Sequence, residues 1–150
     1  MNNNRIIILS GLEHLGYVLV QSSENKFRFG YVSSAGYILM NLIHDDERGL
    51  LLFQGIIPFD IPSEKVDEIL FLINHINNKY PIARFIYNEE IKRVVVESSL
   101  ILINIRLTEK LIENTLSRCV EMINVYSKAI KLIINSNFKY EEAYNTARQN

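Results

Sequence analysis

The chain has no tryptophan, one cysteine, three prolines and six glycines among its 150 residues. A lone cysteine, Cys119, leaves no internal disulfide, so no oxidative staple holds the fold. Six scattered glycines trace neither a P-loop nor a dinucleotide fingerprint. His14, His44 and His75 fall in three separate predicted elements and Cys119 in a fourth, whereas zinc needs three or four converging ligands. No window approaches the roughly 18 uninterrupted apolar residues of a membrane span. The start, "MNNNRIIILSGLEHLGY", lacks the longer apolar stretch and small-residue cleavage site of a secretory signal. These absences point to a cytoplasmic protein with no membrane partner and no cofactor.

Charge of one sign is also missing. The net charge is -1, and the local pair Lys92 and Arg93 is offset by Glu89 and Glu90, so no basic face marks a nucleic-acid partner. The acids Asp45, Asp46 and Glu47 lack the alternating spacing of a calcium loop and read as a hairpin turn. "SSAG" and "LSGL" are turn and helix sequences, not nucleophile elbows. No constellation for catalysis emerges, and the sequence reads as that of a non-enzyme.

What is present is apolar pattern. Hydrophobic residues make up 48% and charged residues 22%, the balance of an ordinary globular domain, and 150 residues suffice for one core. Residues 5–15 predict a short helix, with Ile8, Leu12 and Leu15 on one face and Gly16 suited to the left-handed position behind it. Segments 26–32, 36–44 and 50–59 predict strands. Phe27, Phe29 and Tyr31 alternate with Lys26, Arg28 and Gly30; Gly55 suggests a bulge or bend, and Pro58 a strand end or edge. Pro62 opens a helix with Glu64, Asp67 and Glu68 near its positive end, and Pro81 closes it. Segments 83–88 and 92–104 predict a hairpin across "NEEI". Thr108 is placed to cap a long last helix, and 137–150 predicts a short terminal helix or tail.

The predicted order is α-β-β-β-α-β-β-α in one domain, residues 1–150. Short-looped groups of strands favour an antiparallel sheet with flanking helices, an α+β fold. In the last helix Ile112, Leu116, Cys119, Ile123, Tyr126, Ile130 and Ile133 alternate steps of four and three, a heptad-like seam. Met122, Val125, Ala129 and Leu132 widen it. Either the stripe packs on its own sheet, or its width exceeds one sheet face and part is shared with a second copy. The strand from residue 94, apolar on both faces through Val94, Val95 and Val96, is a second candidate for such a surface if it lies at an edge.

Several residues carry a resemblance. "LGY" follows the first helix, "IP" opens the second, and Asn74 and Asn77 stand near its end. Phe85 follows in a short strand, then a turn at Asn88 to Glu90, the strand "VVVESSLIL" and a closing "YEEA" at 140–143. From about Leu9 to Ala143 the chain resembles the YbjN family and, more distantly, the class I chaperones of type III secretion. It departs from the family in the turn "YNEEI", which lacks the aspartate and glycine often found there. The resemblance implies a type III secretion chaperone-like fold and a non-catalytic homodimer that binds a protein client through apolar surface. Ile112, Leu116, Ile123, Tyr126, Ile130, Ile133, Val94 and Val96 are the candidate contact residues. The alternative is a small-molecule sensor whose pocket would draw on Tyr17, Tyr31, Tyr37 or Phe53.

Overall fold

In a computed structural model, residues 3–149 are described. Helix α1 (Asn3–His14) leads into four strands, β1 (Val20–Ser23), β2 (Lys26–Ser33), β3 (Gly36–Asp45) and β4 (Leu50–Ile56). Helix α2 (Val66–Lys79) separates them from β5 (Arg84–Asn88) and β6 (Arg93–Ile101), and α3 (Glu109–Ser136) and α4 (Tyr140–Arg148) close the chain. The strands form one antiparallel sheet in the order β1-β2-β3-β4-β6-β5. This is the expected α+β architecture of an antiparallel sheet with flanking helices.

Local chemistry sets the element ends. The α1 terminus is a Schellman motif: Gly16, at φ 88°, donates its N–H to Glu13 O, and Tyr17 N–H reaches back to Leu12 O. Pro62 introduces one 3₁₀ turn, Ser63–Lys65, before α2 begins. Tyr80 is extended ahead of Pro81, as proline requires of its predecessor. Thr108 caps α3, its hydroxyl oxygen accepting from Leu111 N at 3.2 Å. The "YNEEI" turn closes without the family's Asp and Gly. Asn88 Oδ1 accepts from Glu90 N and Ile91 N, an Asx turn, and Lys92 takes the left-handed backbone at φ 54°.

Four expectations change. Strand β1 was not in the predicted order: "VQSS" is short, and all four residues are exposed, so no alternation betrays it. Gly55 makes no bulge; it sits in regular register between Met40 and Val96. The strand from Arg93 ends at Ile101 rather than 104, with Asn104 left-handed behind it. That strand, β6, lies between β4 and β5, so it is not an edge; β1 and β5 are.

The core lies between α3 and the sheet. Phe27, Phe29, Ile38, Met40, Leu42, Leu51, Phe53, Val94 and Val96 supply the sheet side. The seam of α3 runs over β4 and β6, while α1 packs beside it and α4 folds back along it. Tyr144 of α4 stacks on Tyr126 at 5.6 Å between ring centres, and Arg148 donates to the Tyr144 hydroxyl at 3.0 Å. Residues 140–148 are therefore a packed helix, with Ala143, Tyr144 and Ala147 buried; Asn150 lies outside the described residues. Helix α2 covers the β5 edge, where Asn77 replaces a missing strand: its Nδ2 donates to Phe85 O and its Oδ1 accepts from Phe85 N, both at 2.9 Å.

Candidate functional site

The residues expected to form a shared surface are inside the protomer. Ile112, Leu116, Ile123, Tyr126, Ile130 and Ile133 on α3, and Val94 and Val96 on β6, are all buried. The stripe is wide because it has several neighbours to meet. The sheet takes its centre, α1 one flank, and α2 and α4 the other. Of the residues that widen it, Val125 and Leu132 stay half-buried.

Nothing among the described residues assembles for covalent or metal chemistry. No group of three or more His, Cys, Asp or Glu side chains could hold a metal ion there. Cys119 is buried on the sheet side of α3 with its Sγ donating to Val96 O at 3.4 Å, and burial pushes the thiol up to about 12, far from a reactive thiolate. Asp45 Oδ1 accepts from Arg48 N, so the acidic run at 45–47 is a turn. One arrangement escaped sequence reasoning. Glu109, in the first turn of α3, accepts Ser10 Oγ at 2.5 Å on one oxygen and lies 2.9 Å from His14 Nδ1 with the other. Ser10 and His14 sit one helical turn apart on α1, a spacing that could have been matched to an acid elsewhere. The carboxylate stands between serine and histidine, so the imidazole does not activate the hydroxyl as in a hydrolytic triad. It is a tie between α1 and α3.

Two surfaces stand out among the described residues. The first surrounds residues 15–20, where α1 turns into β1. A groove of about 440 Å³ runs between this segment and α3, lined by Leu15, Tyr17, Leu116, Val120, Asn124 and Val125, with Glu113 and Glu121 at the rim. On the other side of Tyr17 a second hollow, about 410 Å³, is bounded by Leu9, Val18, Leu19 and Phe27. Val18 is 82% exposed, Leu15 and Val20 are also exposed, and β1 has a free edge. Apolar side chains thus flank an unpaired strand edge, which offers backbone hydrogen bonds to an extended segment. The Tyr17 ring lies 4.9 Å from Phe29, and Phe29 lies 6.4 Å from Phe53, while Tyr37 projects from the opposite sheet face. The four aromatics considered for a sensor pocket therefore do not line one cavity.

The second surface is the sheet face turned away from the helices. Strand alternation puts Leu39, Ile43, Leu52, Ile56 and Ile86 there, half-buried among their strand neighbours, and none of them packs against the core cluster. A polar row crosses this face in register: Arg28 on β2, Asn41 on β3, Gln54 on β4, Glu97 on β6 and Arg84 on β5. Gln54 Nε2 donates to Glu97 Oε1 at 2.6 Å. Asn41 is only 7% exposed, and its Oδ1 takes no hydrogen bond within the described chain.

A twisted antiparallel sheet carrying its helices on one side, with a long helix over the central strands, is the fold of the type III secretion chaperones and of YbjN. In the ExsC–ExsE complex, a chain similar to this one is 16% identical, with a TM-score of 0.61; the match covers 89% of this chain and 94% of that one. YbjN from E. coli is 12% identical with a TM-score of 0.61, covering 83% and 90%. In the HopA1–SchA chaperone–effector complex, the similar chain is 15% identical with a TM-score of 0.52, covering 79% and 88%. At these identities the likeness establishes the fold. No family model and no curated protein sequence matches the chain. Among the described residues, no helix is long and apolar enough to cross a membrane.

Proposed function

We propose that the protein is a non-catalytic, homodimeric binding module of the cytoplasm that holds an extended segment of another protein in the groove between residues 15–20 and α3. The observation that carries this is the pairing of exposed Leu15 and Val18 with the free β1 edge and a groove whose floor is Leu116, Val120 and Val125. Apolar pockets would take alternate side chains of the client, and the strand edge would take its backbone. Glu113 and Glu121 at the rim favour a client with Lys or Arg beside its apolar residues. The chaperone–effector complexes among the similar structures support a protein as the ligand.

The test is a displayed library of short random peptides. Enrichment of peptides with alternating apolar residues and flanking Lys or Arg is expected, with binding lost in Val120→Glu, whose side chain would place a charge in the groove. A library that yields no binder, or binders indifferent to Val120→Glu, overturns the assignment of this groove.

A further inference from the structure

The open sheet face complements itself, and we infer that it is where two copies of the chain meet. This deepens the homodimer proposed above and rests on it, because it names the surface and the symmetry.

The six-position row is, in strand order, Val20, Arg28, Asn41, Gln54, Glu97, Arg84. A twofold axis lying between two stacked sheets, parallel to the strands and midway between β3 and β4, sets each position over its mirror in the row. Arg28 then faces Glu97 of the other copy, Asn41 faces Gln54, and Val20 faces the stem of Arg84. The row on one side gives Leu39 over Ile56, and the row on the other gives Ile43 over Leu52. Apart from the row's ends, where Val20 meets Arg84, charge meets opposite charge, amide meets amide and apolar meets apolar, in both halves of an isologous contact. The alternative twofold, perpendicular to the strands, would stack Arg28 on Arg28 and Glu97 on Glu97.

Two further observations favour a second copy over an unrelated occupant. Asn41, nine-tenths buried among these apolar residues, lacks a donor for its Oδ1 within the described chain, and the facing Gln54 amide has a second N–H to give. The face also has the dimensions of an interface. Five strand spacings by some seven residues of strand make roughly 600 Å² per copy, near the low end of what specific dimers bury per partner. Sheets stacked at about 10 Å and about -30° would keep the central strands in register while the corners splay.

Within one protomer Arg28 and Glu97 are three strand spacings apart, about 14 Å, so they form no pair of their own. That separation makes the test decisive. Sedimentation at micromolar concentration should show wild type as a dimer. Arg28→Glu alone and Glu97→Arg alone should each weaken the dimer about tenfold or more, because each creates two like-charge contacts. Mixing the two variants should restore a dimer, since the heterodimer has both contacts attractive, and the double variant R28E/E97R should dimerise by itself. Circular dichroism checks that each variant is folded; Leu52→Lys, placed on the apolar band, should also dissociate. A wild type that sediments as a monomer removes the homodimer reading and this interface together. A wild-type dimer indifferent to both charge reversals and to Leu52→Lys overturns this face alone, leaving the homodimer reading to another surface. Single variants that dissociate but do not recover on mixing overturn the twofold arrangement.

Discussion

Ile123 of α3 rests directly on the backbone of Gly55 in β4: a Cβ built on that glycine would lie 2.3 Å from Ile123 Cδ1 and 3.0 Å from Met40 Sδ. The missing side chain is what lets the long helix sit down on the middle of the sheet. Gly55→Ala should therefore destabilise by about 1–3 kcal/mol, the usual cost of overpacking a dense core. Ile123→Val removes the clashing Cδ1, so the double variant should lose less than the two single losses added together. Urea unfolding of the four proteins checks both points. Additive losses would mean that the helix shifts as a whole rather than yielding at Ile123.

The β5 edge depends on one side chain. Asn77 hydrogen-bonds both backbone groups of Phe85 at 2.9 Å, the work a neighbouring strand would otherwise do. Asn77→Ala should cost about 1–3 kcal/mol for the partners left unpaired, and hydrogen exchange at the Phe85 amide should accelerate while the β3 and β4 amides stay protected. Asn77→Asp keeps the acceptor but sets a carboxylate oxygen against Phe85 O, so it should retain protection at Phe85 N–H while still losing stability.

These two sites show what the residues revealed in advance and what they did not. Pattern signals worked wherever one chemistry had one consequence: Gly16, Thr108 and Pro81 end or start their helices as read. Asn77 was visible as part of a resemblance, but its partner, Phe85, lies across a proline turn and is fixed only by tertiary packing. Gly55 suggested a bend because a glycine inside a strand usually reports a local backbone need; here it reports a helix arriving from 68 residues further along. Strand β1 carried no signal, since all four residues are exposed and the strand exists through its pairing with β2. The α3 seam was read correctly as a wide apolar arc. Its covering was not deducible, because sequence does not say how many elements converge on one helix. The polar row across the open face was equally hidden: Arg28, Asn41, Gln54, Glu97 and Arg84 come from five strands and become a line only when the registers are known.

The wall of the client groove is pinned by a titratable tie. Glu109 is held below the usual carboxylate range, first by the Ser10 hydroxyl and then by His14, and the hydrogen bond that the His14 ring donates to Glu109 holds the imidazole above its ordinary value. Glu13 adds to the upward shift. The signs follow from proton binding in the two states. As pH rises through the folded value of His14, above 6.5, the folded chain has been holding a proton the unfolded chain has already released, so this contribution is lost. As pH falls through the folded value of Glu109, below 4.5, the folded chain must accept a proton it had refused, and the contribution is lost there too. The tie is strongest between those limits. Both side chains are open to solvent, so the effect is small and screened by salt. The expected outcome is a melting temperature that falls modestly from about pH 5.5 to about pH 8.5 at low ionic strength, with the slope flattened in His14→Gln and by about 1 M salt. Peptide binding in the groove should weaken over the same range, because Leu15 and Tyr17 follow α1 directly. A slope unchanged in His14→Gln would assign the pH dependence to other groups.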